Sequence, residues 1–242
     1  MGTKSSVEQI RARFDQDVER FSHLETGQTA AIDSPLALEL IAQAATAATP
    51  YARRLLDIGC GAGNYSLKLV EHFRRLDPTP LAITLVDLSR PMLMRAEERL
   101  RAAGITEIVT HQADIRELTL GESAYDVIVA AAVLHHLRTD AEWNSVFAAC
   151  FRALAPGGSL WIFDLVTGST TELHAIAWRQ YGEYLVALNG VAHRDKVFAY
   201  VEQEDTPRPL VEQLERLRSV GFHDLEVLHK HGPFAAFGAV KR

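Results

Sequence analysis

The residues best equipped for chemistry in this 242-residue chain lie in Leu55-Leu56-Asp57-Ile58-Gly59-Cys60-Gly61-Ala62-Gly63-Asn64. Glycines directly after a buried strand permit a tight turn and let a ligand approach the backbone closely. The dinucleotide fingerprint asks for glycine where Asn64 stands, so Gly-x-Gly-x-Gly departs from it. Asp57, just before the first glycine, would repel a pyrophosphate but serves a ligand carrying an ammonium group. Asp87 follows LAITLV, where a carboxylate accepts two hydrogen bonds from a vicinal diol such as a ribose. Asp114 closes EIVTHQA, where a carboxylate can accept from an adenine amino group. Each acid also has a structural reading: Asp57 as an edge carboxylate, Asp87 and Asp114 as helix caps. Their shared placement at the carboxyl ends of adjacent strands points instead to a slot for a positively charged nucleoside.

His135 and His136 follow the fourth strand at the edge of that slot and are the base candidates by pKa. Packing or capping of the next helix is the alternative reading for the pair. Asp164 ends the fifth strand and faces the same crevice, as a group that orients a substrate or serves catalysis beside the histidines. Trp178, Tyr181 and Tyr184 are spaced by three, suited to a substrate lid or to ordinary helix packing. His229 and His231 have no carboxylate or cysteine at metal spacing, so no metal site is expected and they are placed at a hairpin turn.

The elements that must position these groups alternate. Val7 to Phe21 carries an apolar stripe at Ile10, Phe14, Val18 and Phe21, predicting one helix, and a second begins after Ser34-Pro35. From residue 53 the chain reads as strands RRLLDI, LAITLVD, EIVTHQAD, YDVIVAA and SLWIFDL, separated by helices. Ser89 is a predicted N-cap, Gly104 a helix end, and Thr139 with Glu142 a capping box. Pro156-Gly157-Gly158 is read as a turn. Later come a helix over Trp178–Leu188, a second over Pro207–Gly221, and two strands, FHDLEVLHK and FAAFGAVK, joined by His231-Gly232-Pro233 as an antiparallel hairpin. Near-continuously apolar strands joined by single helices predict an α/β, doubly wound, mostly parallel seven-stranded sheet with helices on both faces and an antiparallel C-terminal hairpin strand. We read 1–242 as a single domain: an N-terminal helical cap over 1–50, a cofactor-binding core over 51–166, a substrate-side insertion over 167–205, and a closing helix and hairpin over 206–242.

Composition is that of a globular protein, 48% hydrophobic and 23% charged. The formal charge of -6 disfavours a nucleic-acid partner, which needs a basic face. Cys60 and Cys150 sit apart in unlike contexts and read as reduced thiols, the N-terminus lacks a signal-peptide stretch, and no apolar run is long enough to span a membrane, so a cytoplasmic protein is expected. Gly2 and Ser6 match the myristoylation pattern, which is short enough to arise by chance.

LLDIGCGAGNYS, the acid in LVDLSRPML, HQADIREL, YDVIVAAAVLHHL and LAPGGSLWIFD together resemble the successive motifs of the class I S-adenosylmethionine (SAM) dependent methyltransferases. The resemblance spans roughly residues 50 to 166. It implies that Asp57, Gly59, Cys60, Gly61 and Gly63 surround the amino-acid end of SAM, that Asp87 binds the ribose, that Asp114 and Ile115 hold the adenine, and that Ala131 lies beside the cofactor, with Leu88 and Met92 against the adenosine. Residues 205–242 are similar to a subgroup holding small-molecule methyltransferases and the carboxy-SAM synthases of tRNA uridine modification. Such synthases use a basic side chain before the last helix, and VFAYVEQEDTP has none between Phe198 and Thr206. The expected activity is methylation of a small molecule, acting alone or as a homodimer, with no membrane role. The alternatives are a tRNA-modifying methyltransferase, a carboxy-SAM synthase relative, and a SAM-binding protein without transferase activity.

Overall fold

Seven strands build the sheet: β1 (Arg54–Ile58), β2 (Ala82–Asp87), β3 (Ile108–Gln112), β4 (Tyr125–Ala131), β5 (Leu154–Leu165), β6 (Asp224–His231) and β7 (Phe234–Val240). Their order is β3-β2-β1-β4-β5-β7-β6 in a computed structural model that describes residues 4–23 and 28–242. Gly2 of the myristoylation pattern lies outside the described residues. The pairs β2–β3, β1–β2, β1–β4 and β4–β5 are parallel, and β7 runs antiparallel between β5 and β6. The expected fold class is therefore present, including the reversed strand of the hairpin.

Successive residues of β1 point to opposite faces, and both faces are covered. Leu55 packs with Ile41, Leu69 and Leu93 from α3 (Ser34–Ala48), α4 (Asn64–Leu76) and α5 (Arg90–Ala102). Leu56 and Ile58 pack with Trp143, Phe147 and Leu217 from α6 (Asp140–Ala153) and the closing helix Leu210–Ser219. The chain steps outward from β1 to β2 and β3 and then returns to β4 on the other side of β1. That reversal opens a crevice at the carboxyl ends of β1 and β4.

Local signals held at the predicted caps. Ser89 Oγ accepts from Met92 N, and Thr139 and Glu142 form both halves of a capping box. Elsewhere the structure departs from expectation. The Val7–Phe21 stripe divides into α1 (Val7–Phe14) and α2 (Val18–Ser22), because Asp15-Gln16-Asp17 interrupts the helical hydrogen bonds between them. Pro156-Gly157-Gly158 lies inside β5, where the β4 partner advances from Tyr125 to Val127 while β5 advances from Leu154 to Ser159, an extended irregularity with Gly157 at φ +79°. The helix expected over Trp178–Leu188 is α7 (Thr171–Asn189), started by the Thr170 cap, and Gly190 separates it from α8 (Val191–Glu204), a helix with no sequence expectation. The closing helix, α9 (Leu210–Ser219), starts later than expected because Pro207 and Pro209 precede it. No described helix is long and apolar enough to cross a membrane.

Candidate functional site

After β1 the chain turns at Gly59, Gly61 and Gly63, with φ of +66°, +49° and +82°. Gly59 N and Cys60 N both donate to Val86 O (2.8 and 3.1 Å), which fastens the loop to β2. A Cβ at Gly61 would project into open space, whereas one at Gly63 would stand 3.0 Å from Ala96 Cβ and 3.2 Å from Ala96 Cα. Gly61 therefore forms the floor of a cleft, and Gly63 lets α4 and α5 pack closely. Asn64, where a dinucleotide loop has glycine, donates from Nδ2 to Phe21 O (2.8 Å) and accepts from Arg99 Nη1 (2.9 Å). It ties the loop to the N-terminal segment.

The three acids meet at the rim. Asp57 is fully buried and accepts from Ser66 Oγ on α4 (2.6 Å); burial, with help from the nearby charge of Asp87, pushes its pKa up to about 7. Asp87 accepts from Gly61 N and Ser89 N, each at 2.8 Å, and burial raises it to about 6. Asp114 differs. Burial would raise its pKa, but the Arg116 guanidinium grips both carboxylate oxygens and holds it below the usual carboxylate range. Among the described residues, buried Asp57 and half-buried Asp87 thus have no cation beside them, a state that a positively charged ligand relieves.

These groups line a cleft of about 1160 Å³, counting space open to solvent. Asp57, Gly59, Cys60, Gly61, Asp87, Leu88, Met92, Asp114, Ile115, Ala131 and His136 all contribute to its wall. Gly63, His135 and Asp164 are not among the lining residues. His135 and Asp164 sit behind the wall: Asp164 accepts from His135 N (3.0 Å) and bonds its Nδ1, while His135 Nε2 faces Asp205 Oδ1 at 3.7 Å. Burial alone would push the His135 imidazolium down, and the two carboxylates more than reverse this, holding its pKa at about 9. Burial and the His135 charge push His136 down.

The sequence reads an N-terminal helical cap over 1–50, but the residue pattern did not show which of its side chains meet the cleft. Val7, Ile10 and Phe14 of α1, Phe21 of α2, and Gln28 and Ala31 close over it. Arg13 anchors this cover on α8, pairing with Glu204 (2.9 Å) and donating to Tyr200 OH (2.6 Å), with its guanidinium 4.2 Å from the Tyr200 ring centroid. Trp178, Tyr181 and Tyr184 lie outside the cleft wall. Trp178 stacks on Phe198, while Tyr181 OH and Tyr184 OH donate to Ala30 O and Thr29 O (2.9 and 2.7 Å), so they brace the segment entering α3. Sequence reasoning also passed over Ala132, a cleft residue at φ +52°, and Tyr65, a cleft residue whose buried hydroxyl has no partner. Strain at a turn after a sheet strand is a common mark of a working site, and nothing in the residue type Ala signals it. His229 Nε2 and His231 Nδ1 do meet a carboxylate, Asp33 Oδ2 (2.9 and 2.7 Å), from a distant part of the chain that spacing rules cannot see.

Residues 55–158 match a family described as a methyltransferase domain. The chain is 32% identical over 139 residues to 27-O-demethylrifamycin SV methyltransferase of Amycolatopsis mediterranei, covering 56% of this chain and 48% of that protein. It is 24% identical over 195 residues to the biotin biosynthesis bifunctional protein BioHC of Teredinibacter turnerae, covering 74% of this chain and 33% of that one. Its fold matches human N-acetylserotonin methyltransferase in complex with SAM, with a TM-score of 0.59, 16% identity, and coverage of 98% of this chain and 63% of that one. Residues 55–158 thus match a methyltransferase domain, on the fold of the SAM-dependent methyltransferases. This methyltransferase domain places its β1 loop, its rim acids and its β4 terminus around one cleft, while the chain as a whole spans a third to about half the length of those two curated relatives.

Proposed function

We propose that this methyltransferase moves the methyl group of SAM to a nucleophilic atom of a small molecule. The observation that carries the reading is the cleft rim itself: buried Asp57 and half-buried Asp87, without a cationic partner among the described residues, flank the cleft floor at Gly61. In this reading Asp57 and the Gly59-Cys60-Gly61 turn receive the amino-acid end of SAM, and Tyr65 OH supplies a buried polar atom nearby. Asp87 takes the ribose hydroxyls, Asp114 and Ile115 the adenine, and Leu88, Met92 and Ala131 pack the nucleoside. The sulfonium of SAM supplies an already activated methyl group. What the chain adds is alignment and exclusion of water by α1, a contribution of about 7–11 kcal/mol in well-oriented reactions. Ala132, Val133, His136 and Phe163 continue the cleft beyond the glycine floor and form the acceptor side.

Charge supports a small acceptor over RNA. Of Arg53, Arg54, Arg74 and Arg75, three are ion-paired, Arg53 with Asp77, Arg54 with Asp126 and Arg75 with Glu71, and Arg74 donates to Ala103 O, so the cluster is largely charge-matched. A relative named 27-O-demethylrifamycin SV methyltransferase and a structural neighbour that is an N-acetylserotonin methyltransferase are compatible with a small acceptor. Calorimetry with SAM tests the cofactor half of the proposal. Radiolabelled methyl transfer into small-molecule and bulk-RNA fractions of an extract tests the other; label that enters RNA alone overturns it.

A further inference from the structure

Asp205 ends α8 with a carboxyl that is nearly inaccessible (side chain 2% exposed), yet its Oδ1 has no hydrogen-bond partner. It faces His135 Nε2 at 3.7 Å and His136 Nδ1 at 3.3 Å, and neither contact has hydrogen-bond alignment. Both ring nitrogens of His136 also lack partners. Buried polar atoms left unmatched are costly, and two of them, Asp205 Oδ1 and His136 Nδ1, share a cluster within 4.8 Å with a nitrogen of His135, which calls for a common partner.

Ligand atoms about 2.0–2.1 Å from a tetrahedral ion stand roughly 3.3 Å apart, close to the separations found here. Asp164 completes the pattern. It accepts from His135 N and Leu165 N (3.0 and 2.8 Å) and bonds His135 Nδ1, which aims Nε2 at Asp205. A carboxylate holding the far nitrogen of a ligating histidine is the usual outer support of a metal site. We propose that His135 Nε2, His136 Nδ1 and Asp205 Oδ1 bind one divalent metal ion of the Zn²⁺ class, with Asp164 as the positioning residue. Three protein ligands leave a fourth position, and His136 stands in the cleft wall, so that position takes an oxygen of the methyl acceptor. Only this last step rests on the methyl-transfer reading. The surface group Asp33, His229 and His231 offers a similar donor set, but its two imidazoles are already bonded to Asp33 Oδ2, so it has no unmatched nitrogen facing the carboxylate.

EDTA-treated full-length protein titrated with Co²⁺, followed by its visible absorption and by Zn²⁺ competition, tests the site. The expected result is one stoichiometric site with tetrahedral-type absorption that persists in the His229→Ala/His231→Ala double variant. Binding weakens at least about a hundredfold in Asp205→Asn and His136→Ala, and about 10–100-fold in Asp164→Asn. Circular dichroism on each variant separates ligand loss from misfolding. If the His136 or Asp205 variants do not fold, X-ray absorption of the Zn²⁺-loaded double variant must show two imidazoles in the ion's shell. No stoichiometric binding by the wild type overturns the proposal, as does binding that vanishes in the double variant or survives in Asp205→Asn. SAM calorimetry on the same samples keeps the two readings apart: Co²⁺ binding without SAM binding sinks methyl transfer alone, and SAM binding without an ion sinks the metal site alone.

Discussion

Lowering the pH from 7 to 5 should weaken SAM binding steeply, because the cleft must ionise two carboxyls to receive a cation. Burial sets their pKa values at about 7 for Asp57 and about 6 for Asp87. The charge of Asp87 adds to the upward shift of Asp57. If the complex requires both charges, the competent form falls about tenfold between pH 7 and 6 and about fiftyfold more between pH 6 and 5. The total is roughly 500-fold, or about 4 kcal/mol. The SAM ammonium stays charged throughout this window, so it contributes little to the slope. Calorimetry at pH 5, 6 and 7 in two buffers of different ionisation enthalpy measures both the affinity and the protons released on binding. Asp57→Asn, which has no carboxyl to titrate, should lose the upper step of the profile while keeping the lower one. The same shifts act on the free protein in the opposite sense. Both folded pKa values lie above the unfolded 3.8, so the stability these groups contribute is greatest below about pH 4 and declines as pH rises toward 7, while the stabilisation gained from SAM grows over that range. An affinity that is flat from pH 5 to 7, or that improves toward acid, would refute the idea that these carboxylates are held neutral until a cation arrives.

Other perturbations separate the roles of neighbouring residues. Gly61→Ala should strain the backbone by about 1–2 kcal/mol and also abolish SAM binding, since its methyl group enters the cleft; Gly63→Ala should lower the melting temperature more, through Ala96, and leave SAM affinity within a few fold in the folded fraction. Asn64→Ala and Arg13→Ala each release one anchor of the cover, so stopped-flow displacement should show SAM leaving several-fold faster with little change in melting temperature. Thr139→Ala removes half of the α6 capping box and should cost about 1 kcal/mol, near 2–4 °C in Tm for a chain of this size, with no effect on SAM affinity.

Local chemistry alone was enough to read the strand ladder, the reversed terminal hairpin, the caps at Ser89 and Thr139, and the assignment of Asp57, Asp87 and Asp114 to one rim. Each depends on a period or a short spacing that neighbouring residues carry themselves, and parallel topology then forces the carboxyl ends of adjacent strands together. Long-range packing decided the rest. Gly63 looks like its neighbours Gly59 and Gly61 in sequence, and only the approach of Ala96 makes it a packing residue. α8 has a weak apolar pattern and gave no periodic signal, yet it carries the Glu204 that anchors α1 and precedes the Asp205 that meets the histidines. Those partners are separated by some seventy to two hundred residues, and contacts across such distances are set by which faces are left to bury once the sheet has formed, a quantity no window along the chain contains.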